Sequence, residues 1–135
     1  MSYYGADVIN GIKGGNDNIF QHIPSSQYTA SQLLQVGSHY CAMDSTYLNK
    51  GYMGKVIRVT GAKGTLNMVV VDTLPDRGEN IHIDCYNMLD WIALSGSDPG
   101  VGIQSVSFQL VGTAAIPLSP YSPYSPQNLK NNMGA

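Results

Sequence analysis

Val69-Val70-Val71-Asp72-Thr73-Leu74-Pro75-Asp76-Arg77-Gly78-Glu79-Asn80-Ile81-His82-Ile83-Asp84 sets the terms for the rest of the chain. The β-branched run reads as a strand, and the turn formers from Pro75 to Asn80 end it. Ile81-His82-Ile83 then reads as a second, short strand. This one loop-and-strand unit carries three aspartates, Asp72, Asp76 and Asp84. Carboxylates at strand ends and in supported loops suit the hydrogen-bonding of a polyhydroxylated ligand. The plainer reading makes the same acids turn formers and a helix cap in a solvated loop.

Working outward, Lys55–Thr60 and Thr65–Asp72 read as two strands joined by Gly61-Ala62-Lys63-Gly64. Val56, Arg58 and Thr60 alternate against Ile57 and Val59, the pattern of a half-buried hairpin. Tyr3–Ile9 has strand composition and leads into a glycine-containing polar loop from Asn10 to Asn18. Ser25–Gln35 reads as a loop ending in a helical turn or two, and His39–Met43 as a buried short strand or turn. Asn49-Lys50-Gly51 marks a turn. On the other side, Cys85–Leu94 is the best helix, with Met88, Leu89, Trp91 and Ile92 as its apolar stripe and Asp84 placed to cap it. Trp91 is expected in the core, whereas Asp44 and Asp90 read as surface acids. Gly96 stops the helix, Ser97-Asp98-Pro99-Gly100 turns the chain, and Ile103–Leu110 alternates as a final strand. Many short strands with one real helix predict a small β-barrel.

The 135 residues are enough for one domain with its own core, taken as 1–114. Residues 115–135 form a tail in which Pro120-Tyr121-Ser122-Pro123-Tyr124-Ser125-Pro126 is a tandem triplet, expected to be extended and polyproline-like. Such a tail suits a linker, or self-association and protein contact through its tyrosines. The net charge of -2 gives no basis for nucleic-acid binding. No apolar run reaches the roughly 18 residues of a membrane span. Only 12% of residues are charged, a composition common in secreted, carbohydrate-facing proteins. Met1-Ser2-Tyr3-Tyr4-Gly5 has neither the basic start nor the apolar stretch of a signal peptide, so a leader has been removed or was never there. Cys41 and Cys85 lie too far apart for a metal or redox motif, and no metal or other cofactor is expected. One disulfide and two buried thiols both fit their spacing, the choice following compartment. A bridge would close a loop of about 45 residues, worth ~4 kcal/mol by chain entropy.

Several segments, in order, resemble the double-psi β-barrel of expansins, barwin and rare lipoprotein A. Ser2-Tyr3-Tyr4-Gly5 is similar to the Thr-Tyr-Tyr-Gly start of expansin-like domains, and Tyr40-Cys41-Ala42 to the Tyr-Cys-Ala of barwin. Gly54–Gly61 resembles the family's Cys-Gly-Lys-Cys strand with its closing Val-Thr. Asp72-x-x-Pro75 followed by Ile83-Asp84 resembles the Val-x-Asp-x-x-Pro and Asp-Leu-Ser run. Gly102–Val111 is similar to the closing strand, with Phe108 where the family has Trp. The resemblance spans most of residues 2–112. It departs where Met53-Gly54-Lys55-Val56 removes the usual disulfide partners of Cys41, and where Cys85 replaces a Leu. No second, carbohydrate-binding sandwich follows.

The resemblance implies a six-stranded double-psi barrel and a polysaccharide partner such as cellulose, chitin or peptidoglycan. It implies a secreted, wall-directed domain in which Asp84 and Asp72 hydrogen-bond sugar hydroxyls without cleaving the chain. Asp84 holds the position that acts as general acid in endoglucanases of this fold. The second carboxylate that inversion needs is replaced by Gly5, with Asp7 two residues on. Asp76 stands in for the acid after the loop proline and Leu74 for a frequent aromatic, leaving Tyr4 or Tyr3 as the stacking surface and Ser2 beside them. Core packing is an equal reading for Tyr4. His82, two residues before Asp84 on the same strand face, either tunes Asp84 or faces solvent. Two alternatives remain: lytic cleavage of peptidoglycan with Asp84 as the one necessary carboxyl group, and a protein-binding barrel of the inhibitor or defence kind.

Overall fold

The structure, a computed structural model, describes residues 1–3, 18–21, 23, 39–74, 82–86, 88–96, 105–114, 116, 118–119 and 121–125. Its strands are β1 (Ser2–Tyr3), β2 (Tyr40–Asp44), β3 (Lys55–Thr60), β4 (Thr65–Leu74), β5 (Ile83–Cys85) and β6 (Ser107–Ala114). Two helices accompany them, α1 (Ser45–Leu48) and α2 (Met88–Ser95), with a 3-10 turn at Ile19–Gln21. All six strands join one mixed sheet in the order β1-β5-β2-β4-β3-β6, with β1 contributing two residues at one edge. The class is mainly β, as expected. The described pairings end at β1 and at β6, an open order, and closure into a barrel is not among them.

The central hairpin forms as its alternation dictates. Val56 opposes Val69 and Thr60 opposes Thr65, while Ile57 and Val59 turn inward and Arg58 and Thr60 outward. The valine run lies at the middle of the sheet, with β4 between β2 and β3, so it is buried on both sides. The parallel neighbours β2 and β4 are separated in the chain by α1 and β3. The last strand begins later than expected, at Ser107, and its register on β3 shifts between Lys55 and Ile57.

Three expectations are corrected. Cys85 does not start the helix: it pairs with Tyr3 on one side and Cys41 on the other, and two ladders hold it extended. Asp84 is therefore a strand residue, and the helix begins four residues later, at Met88. The apolar stripe of α2 is rotated, burying Trp91 and Leu94 and leaving Leu89 74% and Ile92 42% exposed. Asp44 and Asp90, expected on the surface, are both buried because each has a histidine partner distant in sequence.

The described part of the tail also differs from an extended polyproline form. Ser122 N–H donates to the Ser119 carbonyl and Ser125 N–H to the Ser122 carbonyl, each at 3.0 Å, which makes two successive turns. The serine hydroxyls accept from the backbone N–H two residues on, at Tyr121 and Tyr124. Serine in this position mimics a backbone turn. Ile116 is buried in the main core, with Leu118 and Tyr124 packed against it. No described helix is long and apolar enough to cross a membrane.

Candidate functional site

Sheet register brings the acids together. Asp84 lies opposite Ala42 across β5 and β2, and Ala42 lies opposite Asp72 across β2 and β4. Ser2 extends the row beyond Asp84, and Asn18 bridges to Asp72 at the other end. Laterally paired residues share a sheet face, so Asp84, Ala42 and Asp72 belong to one face. Two strand spacings put the backbones of the two acids roughly 10 Å apart. Period-two alternation adds a second row on that face, with His82, Asp44 and Leu74.

This alignment depends on a register shift. Cys41 opposes Val70, but the next residue of β2, Ala42, opposes Asp72 and skips Val71. In an unbroken register Asp72 would oppose Met43, which belongs with Ile83 on the other face. One additional residue in β4 is what puts Asp72 beside Asp84.

Asp72 and Asp84 are each only 5% exposed. The Tyr86 hydroxyl donates to Asp72 Oδ2 at 2.5 Å, and the Thr73 N–H donates to Oδ1 at 2.8 Å. Burial, the Asp72 bond and the nearby charges of Asp72 and Asp84 push the Tyr86 phenol far above its ordinary range. The rings of Tyr40 and Tyr86 lie 6.2 Å apart and tilted, which puts a half-exposed aromatic beside the row. Burial lowers the pKa of the Met1 amino group, and the Asp84 charge opposes that shift.

His82 does not engage Asp84. Its Nδ1 bonds Asp44 Oδ2 at 2.5 Å, while Asp44 Oδ1 caps α1 by accepting from the Tyr47 N–H at 3.4 Å. The contact engages Nδ1 and leaves Nε2 as the imidazole's second nitrogen. The ring meets Tyr47 edge-on at 5.3 Å, and Tyr47 meets Phe108 at 4.9 Å. Met1, His82, Ile83, Val106 and Phe108 line a half-open depression of about 30 Å³, room for a water or two and not for a sugar ring.

Of the residues singled out in the sequence, Asp72, Asp84 and His82 share a face and Ser2 adjoins Asp84 in the register. Leu74 is in the core, 1% exposed. Tyr4, Asp76 and Asp7 lie outside the described residues. Sequence reading missed Asp44, Tyr86 and the pair His39–Asp90, whose Nδ1 and Oδ1 lie 2.6 Å apart. Tyr86 carried a signal, since it continues the alternation from His82 and Asp84. The described residues include no group of three or more His, Cys, Asp or Glu arranged to hold a metal ion. Comparison with protein-family models, curated proteins and solved structures finds no match for this chain.

Proposed function

We propose that this is a non-hydrolytic glycan-binding domain of the expansin-like kind, acting on a wall polysaccharide outside the cell. The observation that carries the reading is the Asp84–Ala42–Asp72 row, two carboxylates on one sheet face with only a methyl group between them. Carboxylates are acceptors of the kind that sugar hydroxyls satisfy, and the Thr73 N–H and the Tyr86 hydroxyl hold Asp72 in place. A carboxylate held in this way orients and binds; it is poorly placed to activate water as a catalytic base. The half-exposed rings of Tyr40, Tyr47 and Phe108 offer apolar surface for a sugar face at the margins. Two parallel pairings in a sheet this small, β1 with β5 and β2 with β4, are compatible with the double-psi topology.

The test is pull-down on cellulose, chitin and peptidoglycan, with an assay for new chain ends. Wild type is expected to bind one polymer without releasing ends. Asp84→Asn keeps the shape and removes the charge, and a charged hydrogen bond is worth about 1.5–3 kcal/mol, so binding should weaken about ten- to a hundredfold. New ends from wild type, lost in Asp84→Asn, would make the domain a glycan-cleaving enzyme. Neither binding nor cleavage would favour the protein-binding barrel.

A further inference from the structure

We propose that Cys41 and Cys85 form an intramolecular disulfide joining β2 to β5, and that its presence is decided while the chain folds. The two residues are direct partners in the antiparallel β2–β5 register. Opposed residues in such a pair have Cα atoms about 4.5–5.5 Å apart, inside the range of about 4.4–6.8 Å that disulfides span. Both side chains leave the sheet on the same face, as a bridge between the two strands requires. Both are free thiols in this structure, and both are fully buried.

The chemistry is exchange with a small disulfide such as oxidised glutathione. One cysteine thiolate attacks a sulfur of the reagent, forming a mixed disulfide and expelling one glutathione thiolate. The second cysteine thiolate then attacks the protein sulfur and expels the other. Two thiol protons leave, one S–S bond forms, and the two electrons reduce the reagent to two thiols.

Burial controls when this takes place. Neither sulfur is open to a reagent in the folded chain. Burial pushes the Cys41 thiol well up, and the charges of Cys85, Asp84 and Asp90 push it further, so little thiolate exists to attack. Folded reduced protein therefore resists oxidation, and folded oxidised protein resists reduction. The thiol state records the redox conditions at folding. The bond also flanks the Ala42–Asp84 pair, so it clamps the two strands that position Asp84.

Full-length protein is unfolded, reduced and refolded with oxidised and reduced glutathione, or separately with dithiothreitol. Free thiols are counted in denaturant, and monomer mass is recorded. Oxidative refolding is expected to give monomers with no free thiol and a higher urea midpoint than the reduced form. Protein already folded in dithiothreitol, exchanged into the same glutathione mixture, should lose thiols more than roughly tenfold more slowly. Two free thiols after oxidative refolding, bonding only between chains, or a lowered urea midpoint would overturn the bond. Equal rates from folded and unfolded protein would overturn the timing. Cys41→Ala and Cys85→Ala should each give a glutathione adduct on oxidative refolding, and an adduct on both cysteines of the wild type would also count against pairing.

Discussion

A carboxylate turned into a sheet needs donors, and Asp72 has the Tyr86 hydroxyl and the Thr73 N–H. Tyr86→Phe removes one of them without changing shape, taking a hydrogen bond from a buried acceptor. We expect a loss of about 1–3 kcal/mol in urea unfolding; an unchanged midpoint would mean that water or another group replaces the phenol. Asp90 presents the opposite balance. Oδ1 meets His39, whereas Oδ2 is buried with no hydrogen-bond partner among the described residues. Burial raises its pKa above the ordinary 3.8, and His39 offsets only part of the shift. The folded state thus keeps the Asp90 proton to higher pH than the unfolded state does. This contribution is complete below the unfolded pKa and is lost as pH rises through the folded one. Asp90→Asn should remove it, so the variant gains on wild type as pH rises through and above the ordinary carboxylate range. A pH-independent difference between their urea midpoints would refute this. Asp72 and Asp84 were legible in the sequence from their flanking strands. Asp44 and Asp90 were not, because nothing at their own positions signals a histidine partner at residue 82 or 39.

Strands were the most readable elements, because alternation is local: β3 and the start of β4 fall where the pattern puts them. The start of α2 was misread because the apolar residues of 85–94 fit a helix, while Cys85 answers to two neighbouring strands that a linear pattern does not reveal. The β3–β4 turn abuts the end of α2. The Lys63 N–H donates to the Leu94 carbonyl at 2.9 Å, and a Cβ on Gly61 would stand 2.2 Å from that oxygen. The obstacle is helix backbone, which cannot swing aside as a side chain can. Gly61→Ala should therefore cost about 1–3 kcal/mol through overpacking. Thermal unfolding tests this, with Ala62→Gly, at an exposed neighbour, as the control for turn flexibility. Gly96 ends the helix with φ 73°, a conformation that suits glycine at this position and that the sequence did announce.

Across the whole molecule, the boundary drawn at residue 114 separates compositions but not cores. Ile116 is buried with the sheet residues, and its N–H donates to the Gly54 carbonyl at 3.1 Å. Ile116→Ala should cost about 2–5 kcal/mol, read as one cooperative loss in urea unfolding. A separate early transition would instead mark the tail as an independent unit. The mainly-β class followed from short alternating runs, whereas the parallel pairings did not, since they join segments with other strands between them. The register shift at Ala42 has its own bearing on how such a chain can vary. Substitutions in β4 trade one side chain for another and leave Asp72 where it is. A change of length by a single residue between Val70 and Asp72 reverses the parity of the strand and sends the acid to the opposite side. Kinship judged by residue identity would score such a chain as nearly the same protein, although its two carboxylates would no longer share one sheet face. The length of this strand, more than its composition, is therefore what keeps the two acids together.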